Sequence, residues 1–286
     1  MGDWLEIAAK VLAYGAVLLT FGCAVTRLVL LPRVASPGSV PWDDAATRVA
    51  GTQVAGASVL LLALLLRAIG HTVSAFVLPD ALSLENLGII ALESRWGDAW
   101  RQQLLAATLL FGCALWSWFE RGTRAAASVA VLSTVVCVEL ARMGHAATLP
   151  WGWLLHAAHM AAAGAWAGAI AAVLLLSAPS TRALRPALLE AFAPVAMISV
   201  AVVALTGSVA AWHYIGAWSN LVNTRYGITL LIKVAMVADM VVLGGLNWKR
   251  LRSQGVSAVP ATVWAELLMA IGVVLITAVL TETEHP

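Results

Sequence analysis

The stretch that decides the fold covers residues 151–176 and reads WGWLLHAAHMAAAGAWAGAIAAVLLL. It is apolar and longer than the roughly 20 residues that a helix needs to cross a bilayer, yet His156 and His159 lie in its first turns. Three residues apart in a helix, they project from one face with about 5–6 Å between Cβ atoms. Small residues at 161–164, 167 and 168 favour close packing of neighbouring helices. Because a polar group inside hydrocarbon needs a partner, the pair predicts a functional site within a membrane-spanning helix.

The composition extends this prediction to the whole chain. Of the 286 residues, 61% are hydrophobic and 11% are charged, and the mean hydropathy is +0.89. Soluble domains are usually about 45–50% apolar and about 25% charged, so we predict an integral membrane protein. The net charge of +2 is too small and too dispersed to indicate nucleic-acid binding. Asp3 and Glu6 stand where a secretory signal would carry basic residues, so we expect no cleaved signal peptide.

Eight segments have the length and apolarity of a membrane span. We place them at residues 4–31, 48–69, 99–119, 124–142, 151–176, 188–214, 226–247 and 260–281. The fold class that follows is all-α, a polytopic membrane helical bundle that forms a single transmembrane domain over residues 1–286. The connection at 70–98 is the only long one, and we expect it to lie outside the membrane.

Lysine and arginine predict the orientation, because basic residues accumulate in cytoplasmic loops. Ten lie in the connections that follow odd-numbered spans: Arg27, Arg33, Arg48, Arg121, Arg124, Arg182, Arg185, Lys249, Arg250 and Arg252. Six lie on the opposite side: Lys10, Arg67, Arg95, Arg101, Arg142 and Arg225. This bias predicts that both termini and the connection at 70–98 are periplasmic.

All six histidines fall on the same predicted periplasmic side. We expect His71 to open the long connection and His285 to lie in a solvated tail. The other four histidines lie near the ends of spans four to six, together with one carboxylate and one thioether. These six residues are Glu139, Met143, His145, His156, His159 and His213. Imidazole with thioether suits copper better than calcium or magnesium, and imidazole also suits zinc. We therefore predict a metal site with His159 as its deepest ligand. The alternatives are single interfacial hydrogen bonds for the histidines and an Arg142 salt bridge for Glu139.

The seventh span adds candidates for a transport path. Lys233 and Asp239 are six residues apart, so they lie on different faces of the helix and each needs a partner from another helix. Asp239, near the middle, is the better candidate for a proton or cation site, although a structural contact between helices explains it equally well. Met236 and Met240 are one turn apart and could bind Cu(I), although methionine in apolar helices usually fills gaps in the packing.

Several function classes are not indicated. The sequence contains no G-x-x-x-x-G-K-[ST] phosphate loop, no H-E-x-x-H helix and no G-x-S-x-G nucleophile elbow. Transport would then be passive, ion-coupled or powered by a partner, and we do not predict an enzyme. Cys23, Cys113 and Cys137 lie in three different spans without a C-x-x-C pair, so we expect free cysteines in the core.

Short motifs in the second half of the chain point to a known family. Residues 143–147 read M-G-H-A-A, and His159 is followed by Trp166 and Gly168 in the pattern H-x6-W-x-G. Further characteristic positions are Thr206-Gly207, Tyr226-Gly227, Lys233, Asn247, Glu266 and Pro286. From residue 143 onward the chain resembles the copper resistance protein D family, whose S-G-H-A-A motif here has Met in place of Ser. Its N-R pair here becomes N-W-K-R, and Asp239 matches none of its positions.

The resemblance implies a multi-pass protein of the bacterial inner membrane that takes part in copper resistance and copper homeostasis. Such proteins often act beside a periplasmic copper-binding protein of the C type. No C-type module is present in this sequence, so the partner would be a separate protein. The other partners implied are the copper ion and the lipid bilayer, and none is a nucleic acid.

Together, residues and resemblance predict a copper transport protein. Copper would enter at a periplasmic mouth built from His145, His159, His156, His213 and Met143, and would move toward the cytoplasm. A second hypothesis is an electron-transfer protein that holds b-type haem between His159 and His213 on two helices. A third is a membrane protein that binds copper without transporting it.

Overall fold

The protein is an all-α bundle in the part of the chain that the structure describes. The computed structural model describes residues 2–76, 80–143, 151–253, 261–284 and 286. These residues form no β-strand, and eight of their helices are long and apolar enough to cross a membrane. The spans are Trp4–Arg33, Val40–Ala75, Arg95–Glu120, Thr123–Arg142, Gly152–Leu174, Arg185–Ile215, Arg225–Ser253 and Ala261–Leu280. The prediction of eight spans is thereby confirmed by length and composition.

We label the α-helices in chain order. They are α1 (Gly2–Val25), α2 (Val40–Ala75), α3 (Leu84–Gly88), α4 (Arg95–Glu120), α5 (Thr123–Arg142), α6 (Gly152–Ala163), α7 (Ala169–Leu174), α8 (Pro179–Arg182), α9 (Arg185–Ile215), α10 (Asn220–Asn223), α11 (Arg225–Ser253) and α12 (Ala261–Leu280). The fifth span consists of α6, a π-helical turn at Gly164–Gly168 and α7. A π-helical turn at Thr26–Leu30 and a 3-10 turn at Leu31–Arg33 extend α1.

The prediction that His71 is a loop residue is wrong. Helix α2 continues to Ala75, so His71 lies in its last turns. Its Nδ1 is 3.1 Å from Glu6 Oε1 on α1, and its ring stacks on Trp96 with 4.3 Å between ring centroids. Because these partners satisfy the imidazole, the helix extends further than the apolar pattern alone indicates.

The connection between α2 and α4 consists of short elements where it is described. A 3-10 turn at Asp80–Leu82 precedes α3, and a π-helical turn at Ile89–Glu93 follows it. Ser94 caps α4, since its hydroxyl accepts a hydrogen bond from Gly97 N at 2.9 Å. The described elements of this connection are all far too short to cross a bilayer.

Small residues bring the fifth span directly against the first, as predicted. A Cβ atom on Gly22 would overlap the backbone of Gly168 and Ala169, and one on Gly168 would overlap the Leu18 carbonyl. Only glycine permits this approach, and packing is the main attraction between helices in lipid. The contact fixes the fifth span in the centre of the bundle and so positions the histidines that it carries.

The odd-numbered spans begin, and the even-numbered spans end, at the same end of the bundle. Contacts across this end include an ion pair of Lys10 with Glu282 and a 2.8 Å hydrogen bond from Trp100 Nε1 to the Leu64 carbonyl. His71, His156, His159 and His213 all lie toward it. We call it the histidine end. It is the end that the distribution of basic residues predicts to be periplasmic.

Candidate functional site

His159 on α6 is held by a hydroxyl group on α9. Its Nδ1 lies 2.9 Å from Thr206 Oγ1, and that hydroxyl donates its proton to the Val202 carbonyl at 2.6 Å. When the hydroxyl donates to Val202, the threonine oxygen accepts from the imidazole and the ring proton is on Nδ1. In that tautomer the lone pair is on Nε2, the nitrogen that could bind a metal ion.

The T-G pair on α9 has a direct role beside His159. A Cβ atom on residue 207 would lie 3.4 Å from His159 Cε1, which is ordinary contact distance, so the ring packs directly against α9 at this position. Thr206 is 7% exposed and thus shielded by the surrounding helices. The two adjacent residues therefore help to hold the imidazole in its orientation.

His156 forms the second half of the site. Its Nε2 lies 3.3 Å from the Tyr214 hydroxyl, and the two rings are 6.0 Å apart. Sequence reasoning missed Tyr214. Tyr214 follows Thr206 by eight residues, which places both side chains on one face of α9, and this spacing could have identified it. We call His156 and His159 the histidine pair.

Lys233 on α11 completes the surroundings of the histidine pair. Its ammonium group lies close enough to interact electrostatically with both imidazoles. A positive charge there opposes the binding of a further cation. Lys233 is therefore part of the electrostatic surroundings of the histidine pair.

The other predicted ligands lie in different surroundings. Met143 Sδ accepts from Arg67 Nη1 at 3.7 Å. Glu139 forms the expected ion pair with Arg142, with 3.2 Å between Oε1 and Nη1. His213 is exposed and packs edge-on against Tyr214, with 5.2 Å between ring centroids. His145 and His285 lie outside the described residues.

Within the described residues, no three His, Cys, Asp or Glu side chains come together in a group that could hold a metal ion. The structure brings the histidine pair together with Thr206, Tyr214 and Lys233. A complete copper site would need further ligands in addition to the histidine pair.

The predicted path residues divide into two groups. Met240 is 3% exposed within the core, and Met236 is partly buried with its methyl group against Gly272. Lys233 faces the histidine pair, whereas Asp239 lies on the exposed surface of α11. The two charged residues thus lie on different faces, as predicted. The three cysteines are free, and Cys23 and Cys137 are buried.

The positions of the two residues do not favour haem between His159 and His213. His159 packs against Thr206 and Gly207 of α9, the helix that also carries His213. His213 lies about two turns further along α9, roughly 10 Å at 1.5 Å per residue. Its side chain is exposed, so the two imidazoles do not face one another across a common cavity.

The fold and these contacts define a polytopic helical membrane protein with a partly buried histidine pair near one end. Two family models match the sequence: copper resistance protein D-like, N-terminal domain, over residues 1–154, and copper resistance protein D over residues 186–280. The first match alone covers more than half of the chain. The chain therefore belongs to the copper resistance protein D family, which confirms the resemblance found in the motifs.

A curated relative supports the same assignment. The chain is 31% identical over 150 residues to the copper transport protein CutJ of Bacillus subtilis (strain 168). The matched region covers 50% of this chain and 28% of CutJ, so this chain spans well under two thirds of that relative. No solved structure matches the chain.

Proposed function

We propose that this protein transports copper across the bacterial inner membrane, taking up the ion at the histidine end and moving it toward the cytoplasm. The hydrogen bond from His159 Nδ1 to Thr206 carries the proposal. Histidines that bind metals almost always donate their other ring N–H to an oxygen, which fixes the ring and raises ligand basicity. The contact of His159 Nδ1 with Thr206 Oγ1 supports this arrangement, in which Nε2 would bind the ion.

The ligand types favour copper over other ions. Imidazole binds copper well, and thioether groups favour Cu(I). His156 lies one turn from His159 on the same helix, and Met143 begins the connection that leads to His145. In the proposed site, the histidine pair provides two ligands, and Met143, His145 or His213 provide others as the ion enters.

The proposed path leads from the histidine pair into the bundle. Lys233 lies at its entrance, and Met236 and Met240 follow at successive turns of α11. Asp239 lies on the exposed surface of this helix, so the proposal leaves it out. A separate periplasmic copper-binding protein of the C type would deliver copper to the histidine end.

Copper binding by the purified protein tests the site. We expect the wild type to bind copper in detergent with no Soret band before or after dithionite, and His159→Ala to lose most of this affinity. His71→Ala is the matched control, because His71 lies at the same end but contacts Glu6. Equal affinities for the wild type and His159→Ala would refute the site, and a Soret band would favour the haem hypothesis.

A further inference from the structure

Glu266 is a buried carboxyl group within the membrane-spanning helix α12. The residue is 4% exposed, although an ionised carboxylate in hydrocarbon is costly. Asn247 Nδ2 on α11 donates to its Oε2 at 3.2 Å, and the Trp166 indole of the fifth span lies close enough to interact with the carboxyl group. Glu266 therefore has neighbours from two other membrane spans.

The surroundings hold this carboxyl group in one position. The Asn247 amide oxygen accepts a hydrogen bond from Thr262, which fixes the amide with its NH2 group toward Glu266. A Cβ atom on residue 244 would lie 3.2 Å from Glu266 Oε1, so Gly244 leaves space for the carboxyl group. Trp166 lies in the π-helical turn of the fifth span, and such turns frequently occur at functional sites.

Glu266 forms no ion pair with any basic side chain in the described ranges. Lys249, Arg250 and Asp239 on α11 are exposed, and Lys233 lies beside the histidine pair. Residues 160–174 of the fifth span contain no charged residue. The charged groups of the first span have other partners: Glu6 with His71, Lys10 with Glu282, Arg27 with Ser117, and Arg33 with the Ala191 carbonyl.

The chemistry of these partners favours a proton as the ligand. Asn247 and Trp166 both present N–H donors, and the Asn247 oxygen is already used by Thr262. A metal ion such as calcium needs six or more oxygen ligands, and copper prefers nitrogen or sulfur. N–H donors can form hydrogen bonds with the oxygens of both the carboxylate and the neutral acid. Both protonation states are therefore accessible.

The fifth span links this carboxyl group to the histidine pair. Trp166 follows His159 by seven residues, or about 10 Å along the helix at 1.5 Å per residue. One continuous span thus contacts Thr206 at one level and Glu266 at a deeper level. A copper ion that moves inward from the histidine pair along this span approaches the carboxyl group.

We propose that Glu266 is a reversible proton site and that copper passage is coupled to proton exchange there. The coupling rests on the proposed copper transport. An approaching copper cation stabilises the carboxylate, so Glu266 releases its proton to water; when copper leaves, the carboxylate takes up a proton again. The exchange moves one proton between one carboxyl oxygen and water, and it needs no oxidant or reductant.

Proteoliposomes that contain a trapped pH-sensitive dye test the coupling. Copper added to the wild type should produce a pH change together with copper uptake, and Glu266→Gln should lose the pH change and the pH dependence of uptake. Asp239→Asn is the matched control, because it removes an exposed carboxylate from the adjacent helix. Wild-type pH changes in Glu266→Gln would overturn the proposal.

Infrared spectroscopy tests the proton site independently of transport. The wild type should show a carboxylic acid C=O band that titrates with pH and is absent from Glu266→Gln. Trp166→Phe keeps the carboxyl group but removes the indole N–H beside it, so it should shift the frequency of this C=O band. The shift assigns the band to Glu266 even if Glu266→Gln does not fold. A titrating band without copper flux would contradict copper transport alone, whereas absence of such a band would overturn the proton site.

Discussion

Replacing Thr206 with valine removes the hydroxyl that accepts the His159 Nδ1 proton and leaves a side chain of nearly the same size. Thr206 is 7% exposed and its Oγ1 lies 2.9 Å from Nδ1, so water cannot readily replace the lost oxygen. The ring then loses the side-chain partner of Nδ1. Loss of such a partner typically lowers metal affinity by about 10–100-fold, which is about 1.4–2.8 kcal/mol at 1.4 kcal/mol per tenfold.

Competition with a chelator of known copper affinity, in detergent and under reducing conditions, measures this change. Thr277→Val is the matched control, because the Thr277 hydroxyl donates only to the Val273 carbonyl one turn earlier. Thr206→Ser should keep most of the affinity, since it retains the oxygen. An unchanged copper affinity in Thr206→Val, with normal folding, would refute the argument that Thr206 positions His159 for metal binding.

The structure makes two further predictions. Gly22→Ala should lower the thermal unfolding temperature, because its Cβ would overlap the Gly168 backbone and overpacking costs about 1–3 kcal/mol. Gly15→Ala is the control and should not lower it, because no atom lies within 4 Å of that position. Equal unfolding temperatures of the two variants would contradict the close packing. Lys233→Gln should raise copper affinity by removing a positive charge beside the histidine pair, whereas the exposed Lys249→Gln should leave it unchanged. Weaker copper binding in Lys233→Gln would instead indicate that Lys233 supports the site.

The sequence predicted the spans well because crossing a bilayer imposes a simple requirement on length and apolarity. It also placed His156 and His159 on one face, since three-residue spacing determines this in any helix. The extent of α2 was underestimated because the partners of His71 come from elsewhere in the chain: Glu6 lies 65 residues earlier, and Trp96 begins another helix. Such partners do not appear in a local pattern.

The burial of the two carboxylates in the last two spans could not be predicted from the sequence. Asp239 and Glu266 both lie in apolar spans, yet Asp239 is exposed on the bundle surface and Glu266 is buried. In soluble helices, polar residues mark the outward face, but lipid-facing and buried positions in a membrane are both apolar. Periodicity therefore could not distinguish them. Similarly, the contact of Met143 with Arg67 joins residues 76 positions apart and could not be read from the sequence.

Copper uptake into proteoliposomes is the most direct test of copper transport through the histidine pair. Copper is added outside vesicles that contain wild type, His159→Ala or the His71→Ala control, and the trapped copper is then measured. We predict uptake by the wild type and the control and loss of uptake in His159→Ala. Equal uptake by wild type and His159→Ala would contradict a path through the histidine pair, and wild-type vesicles no more permeable than empty ones would contradict transport itself.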